Sequence, residues 1–106
     1  MVTILNSKNF AKETGKGFVL VDFWAEWCAP CQLMIPVFEE VSEDFKGKVK
    51  FCKLNVDEGS DIAEKFSVSG IPCLILLKDG KEIGRFVGFM SGDSLKEKIE
   101  SVVGKA

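Results

Sequence analysis

Cys28 and Cys31 stand three positions apart in Trp27-Cys28-Ala29-Pro30-Cys31, directly after the apolar run Phe18-Val19-Leu20-Val21-Asp22-Phe23-Trp24. If the run is a strand and a helix begins at the first cysteine, that spacing puts both sulfurs on one face of the first turn, close enough to form a disulfide. The chemistry on offer is reversible dithiol–disulfide exchange. The unpaired N–H groups and the positive dipole end of that turn favour the thiolate of the leading residue. Cys28 is therefore expected to be the nucleophile and Cys31, one turn deeper, the resolving thiol. Pro30 suits the first turn, where its missing N–H has no intrahelical acceptor and its fixed φ is already helical.

Two blander readings of the pair fit less well. Zinc would need Cys52 and Cys73 as further ligands, because the chain has no histidine, and those two sit singly inside apolar stretches. No metal is expected. Inert packing does not explain why Trp24 and Trp27 flank the pair or why a proline lies within it. Asp22 adds a second signal, an acid inside an apolar strand six residues before the nucleophile. Burial would raise its pKa and make it a proton donor and acceptor during exchange, whereas at a solvated strand end it would be an ordinary carboxylate.

The elements that position these groups must fit within 106 residues, enough for one domain spanning 1–106 with a core that needs no staples. The four cysteines are thus free for chemistry. Fourteen basic and sixteen acidic side chains leave a net charge of −2, which gives no electrostatic reason to expect a nucleic-acid partner. No stretch has the length of a membrane span, and Met1 to Asn6 lacks the basic and apolar regions of an export signal. A cytoplasmic protein is the expectation, and in that reducing setting a Cys-x-x-Cys pair is catalytic more often than structural.

Apolar runs alternate with helical patterns in the manner of an α/β domain. Val2 to Leu5 reads as a short strand, followed by a helix capped by Asn6 or Ser7, carrying Phe10 and Ala11 and stopping at Gly15 or Gly17. Phe18 to Trp24 is a central strand covered on both faces. From Cys28 or Ala29 to Phe45, the spacing of Met34, Val37, Phe38, Val41 and Phe45 predicts an amphipathic helix, with Pro36 inside it and a kink there. Val49 to Val56 reads as a strand, and Ser60 or Asp61 caps a short helix ending near Phe66. After a turn at Ser69-Gly70-Ile71-Pro72 comes a strand from Cys73 to Leu77, which Asp79-Gly80 joins to an antiparallel partner from Glu82 to Val87. Ser91 opens a last helix carrying Leu95, Ile99 and Val102. Five strands and four helices follow, in a mixed sheet with a terminal hairpin and helices on both faces.

Taken together, Val21-Asp22-Phe23-Trp24-Ala25-Glu26-Trp27-Cys28 with Pro30-Cys31, Pro36, Lys53-Leu54-Asn55-Val56-Asp57, Gly70-Ile71-Pro72, Lys78-Asp79-Gly80 and Val87-Gly88 resemble the thioredoxin family in order and spacing along the whole chain. The resemblance implies the thioredoxin fold: a mixed five-stranded sheet, in the family's strand arrangement, flanked by four helices. It implies a protein-disulfide reductase, with no bound cofactor beyond a reversible Cys28–Cys31 disulfide. Its partners would be disulfide-containing client proteins and thioredoxin reductase, itself supplied with electrons by NADPH. It would act as a monomer in electron transport and cell redox homeostasis.

The resemblance also assigns residues. Lys53 becomes the partner of Asp22, though a strand lysine can equally hold its tip in water. The Ile71-Pro72 bond becomes cis, and its turn offers backbone hydrogen bonds to an extended client segment. Gly70 and Gly88 permit close approach of another backbone, while Trp27, Ala29, Pro30, Ile71 and Pro72 complete the client-binding surface. Phe89 and Met90 belong either to that apolar rim or to the core.

Three positions depart from the family's habit: Ala29 where glycine is usual, Gln32 where lysine is frequent, and Cys73 where threonine is common. Cys73 is either a buried, inert thiol or a surface thiol open to oxidation. Two rival functions remain open to the same fold. An oxidase or isomerase would favour a histidine between the cysteines and an oxidising compartment, and a non-catalytic module would use the surface for binding alone.

Overall fold

The computed structural model describes residues 1–105. In chain order the elements are β1 (Thr3–Ile4), α1 (Phe10–Thr14), β2 (Phe18–Trp24), α2 (Ala29–Asp44), β3 (Val49–Asn55), α3 (Ser60–Lys65), β4 (Cys73–Lys78), β5 (Lys81–Val87) and α4 (Gly92–Val103). Among the described residues these are the five strands and four helices that the alternating patterns predict. The sheet order is β1-β3-β2-β4-β5, so the most apolar strands lie in its middle. β3 pairs in parallel with both β1 and β2, while β4 runs antiparallel to both β2 and β5.

Side chains that alternate along the central strands divide the core into two layers. Leu20, Leu74 and Leu76 meet Met34, Phe38 and Val41 of α2 and Leu95 and Ile99 of α4 on one face. Val19, Val21, Phe23, Ile75 and Leu77 meet Phe10 of α1 and Ala63 of α3 on the other. Helices therefore cover both faces, as the unbroken apolar pattern of β2 requires. By the same alternation Asp22 lies on the α2 face with Leu20.

Element ends differ from expectation for local reasons. The side chain of Asn6 accepts the N–H groups of Lys8 and Asn9, which holds a turn there and delays α1, so its N-cap is Asn9 and not Asn6 or Ser7. Ala11 is exposed on that helix, leaving Phe10 and Thr14 as its buried residues. Gly59, not Ser60 or Asp61, caps α3, and a Cβ there would come within 2.7 Å of Leu54 Cδ1. The helix start can press onto β3 only because that position is glycine. β3 stops at Asn55, yet the next N–H, that of Val56, still donates to the Trp24 carbonyl. α2 continues through Pro36 to Asp44, with Phe45 as its C-cap. At the hairpin, Asp79 and Gly80 take φ values of 50° and 84°, the left-handed pair that a two-residue turn of matching twist demands.

Candidate active site

β2 ends at Trp24, and α2 starts five residues later at Ala29, so the intervening segment delivers Cys28 to the N-cap position. Its backbone is extended (φ −94°, ψ 108°), and its sulfur accepts the N–H of Cys31 at 3.3 Å. That N–H is one of the donors a helix start leaves unpaired. Pro30 occupies the first turn, as its missing donor allows. Cys28 and Cys31 are joined as a disulfide with Cα atoms 5.2 Å apart. Cys31 is fully buried, whereas Cys28 keeps a small exposed edge of 6%. An incoming reactant can therefore reach Cys28 and not Cys31.

The other wall of the site is the segment before β4. The Ile71-Pro72 peptide is cis, and the Ile71 carbonyl oxygen lies 3.7 Å from Cys28 Sγ. The Pro72 carbonyl accepts the Gly88 N–H at 2.8 Å, which ties this segment to the end of β5. Trp27 is 71% exposed, and Phe89 and Val87 are also exposed. Ile71 and Gly70 are half-buried, while Ala29 and Pro30 face solvent beside the sulfur. Phe89 and Met90 separate: the first is on the surface and the second is in the core with α2 and α4.

Asp22 is 1% exposed, and its Oδ1 has no hydrogen-bond partner among the described residues. Burial pushes its carboxyl up to about 7, with the positive charge of Lys53 opposing the shift. The solvated strand-end reading of Asp22 is thereby excluded. Lys53 sits opposite Asp22 in the β2/β3 register, but the two make no ion pair. Its ammonium lies over the Trp24 ring instead, 5.2 Å from the centroid. Its partnership with Asp22 is therefore electrostatic, its positive charge lowering the carboxyl while the ammonium rests over the half-buried aromatic face.

Cys52 and Cys73 are free and buried, facing the α1 and α3 side of the sheet. Burial pushes the Cys52 thiol up to about 11 and raises that of Cys73 as well. The surface-thiol reading of Cys73 is overturned, because the side chain turns inward with Ile75 and Leu77. No group of three or more potential metal ligands occurs among the described residues.

Asp57 is a contact that the residue pattern did not expose: its Oδ2 accepts the Trp27 indole N–H at 2.9 Å. The signal lay in the parallel β2/β3 pairing, which brings the residues after both strands together, and that pairing is invisible without the sheet order.

A family model described as thioredoxin matches residues 1–101. The chain is 52% identical over 85 residues to a thioredoxin of Pseudomonas aeruginosa, covering 80% of this chain and 79% of that one. It is 48% identical over 99 residues to a thioredoxin of Chlamydia muridarum, covering 93% and 96%. With a thioredoxin of Staphylococcus saprophyticus the identity is 45% over 96 residues, covering 91% and 92%.

Proposed function

The chain belongs to the thioredoxin family, has its fold, and is a thiol–disulfide oxidoreductase; from that premise we propose that it is a protein-disulfide reductase working through the Cys28-Ala29-Pro30-Cys31 pair. The observation that carries this reading is the placement of Cys28 Sγ at the start of α2, where it accepts the Cys31 N–H. A donor and a helix dipole aimed at the sulfur stabilise the thiolate over the thiol.

In the reduced chain, Cys28 thiolate attacks one sulfur of a client disulfide. The client S–S bond breaks, its other sulfur leaves as a thiolate and takes a proton, and a mixed disulfide remains. Cys31 then loses its proton to the Asp22 carboxylate and attacks Cys28 Sγ. The Cys28–Cys31 bond forms, the second client sulfur departs, and two electrons have passed from the chain to the client. A carboxyl that titrates near neutrality suits the proton step, since it is present in both forms at working pH. Lys53, held over Trp24, tunes that carboxyl electrostatically.

Trp27, Ala29, Pro30, Gly70, Ile71, Pro72 and Gly88 form the client-docking surface. It combines an exposed aromatic face with a backbone edge, the two elements that strand-like recognition of an extended segment uses. Thioredoxin reductase, drawing on NADPH, returns the disulfide to the dithiol. The unit 1–106 acts as one monomeric domain in the cytoplasm, within electron transport that maintains cell redox balance. No helix among the described residues is long and apolar enough to cross a membrane.

Insulin reduction driven by dithiothreitol tests the reading. The chain should accelerate it, and Cys28→Ser should abolish the acceleration. A chain that binds insulin without turnover would instead be a binding module.

A further inference from the structure

The segment that carries Gly70, Ile71 and Pro72 leaves α3 through an unusual cap. The Val68 N–H donates to the Ala63 carbonyl at 2.9 Å and the Ser67 N–H to the Glu64 carbonyl at 3.0 Å. This is the paired bond pattern of a Schellman ending, whose next-to-cap position is left-handed and usually glycine. Here it is Ser67, at φ 54°. A side chain in that conformation is strained and persists only if its surroundings hold it there.

Arg85 of β5 supplies the hold. It pairs in register with Ile75, so its side chain lies on the α3 face of the sheet. Nη2 donates to the Phe66 carbonyl at 2.6 Å and Nη1 to the Ser67 carbonyl at 3.5 Å. Both belong to the helix end, where carbonyls lack intrahelical partners. Glu82 fixes the guanidinium from below, accepting from Nε at 2.9 Å and Nη2 at 2.8 Å. A planar fork can serve the carboxylate and the carbonyls together, which a lysine cannot do.

We propose that Arg85 is a positioning residue for client docking: it holds the Ser67 cap, and through it the Gly70–Pro72 edge beside Cys28. The far end of that edge is held by the Gly88 N–H on the Pro72 carbonyl, so Arg85 and Gly88 of one β5 region anchor both ends of the segment. The inference rests on the reductase reading and adds to it a determinant of client affinity outside the contact surface.

The test compares two disulfides reduced by the pre-reduced chain. Insulin must dock on the backbone edge, whereas hydroxyethyl disulfide is too small to need it. Arg85→Ala should slow insulin reduction about five-fold, the size of effect a modest bias in segment population gives. Its rate with hydroxyethyl disulfide should stay within about two-fold of the parent's. Arg85→Lys should fall between. Ser67→Gly, placed in the Arg85→Ala chain, should recover at least half of the lost insulin rate, because glycine relieves the strain that Arg85 opposes. Should Arg85→Ala fail to fold, Glu82→Gln loosens the same clamp and should slow insulin selectively, by a smaller factor. Unchanged insulin reduction, equal slowing with both disulfides, or no recovery from Ser67→Gly would overturn the inference. Failure of the reductase reading looks different: the parent chain would then reduce neither disulfide.

Discussion

Cys28 Sγ accepts the backbone N–H of Cys31 at 3.3 Å, so one cysteine of the disulfide caps the helix turn that carries the other. The same bond that starts α2 thus biases the chemistry of the pair. It predicts that, in the reduced chain, Cys28 ionises below the ordinary thiol value of roughly 8.5. Alkylation by iodoacetamide followed against pH, with the modified residue located by mass spectrometry, measures this. Titration of Cys28 at or above the ordinary value would remove the helix-start argument.

The two buried cysteines should behave in the opposite way. Cys52 and Cys73 are at most 1% exposed, and burial raises both thiols. In the native reduced chain, alkylation at neutral pH should modify Cys28 while leaving Cys52 and Cys73 intact until denaturant is added. Native labelling of Cys73 would mean that β4 opens near the site.

Asp22 links stability to pH. Its folded pKa of about 7 lies above the ordinary aspartate value of 3.8, so between those values the folded chain binds the proton that the unfolded chain has released. Stability therefore falls as pH rises through that window and levels off above it, by roughly 4 kcal/mol in full and less if the buried site relaxes. Asp22→Asn removes the charge and should flatten this dependence, stabilising the protein by a few kcal/mol near pH 8 and hardly at all near pH 4. Denaturant midpoints across pH check it. If the carboxyl also moves the resolving proton, the same variant should slow insulin reduction and lose the inflection near neutrality in its pH–rate profile.

Oxidation should change tryptophan emission through Trp24 more than through Trp27. Trp24 packs against the cluster that contains both cysteines, whereas the Trp27 ring is largely exposed and tethered to Asp57. Trp27→Phe should retain most of the difference between oxidised and reduced spectra, and Trp24→Phe should lose most of it. The reverse pattern would place Trp27 as the ring in contact with the sulfurs.

Much of this was legible in the chain because its local signals agree. The unbroken apolar run of β2, the stripe of α2 and the Asp79-Gly80 turn each specify an element without reference to the rest, and each stands where the pattern puts it. The placement of Cys28 and Cys31 at a helix start is legible for the same reason, since a strand end, a helix start and a three-residue spacing are local. What escaped depends on contacts across the sheet. The Trp27–Asp57 bond and the Arg85 clamp on α3 join residues 30 and 19 positions apart. Lys53 shows the limit from the other side: its position opposite Asp22 was foreseeable, but the choice of its ammonium between a carboxylate and the Trp24 face is decided by three-dimensional competition.

Attack by Cys28 and resolution by Cys31 are separated by trapping the intermediate between them. With Cys31→Ser the mixed disulfide cannot be resolved, so incubation with a disulfide-containing client such as insulin should accumulate a covalent complex that dithiothreitol releases. With Cys28→Ser the buried Cys31 should trap essentially nothing. Peptide mapping of the complex should place the client on Cys28. Equal trapping by the two variants, or a complex carried by Cys31, would contradict the account.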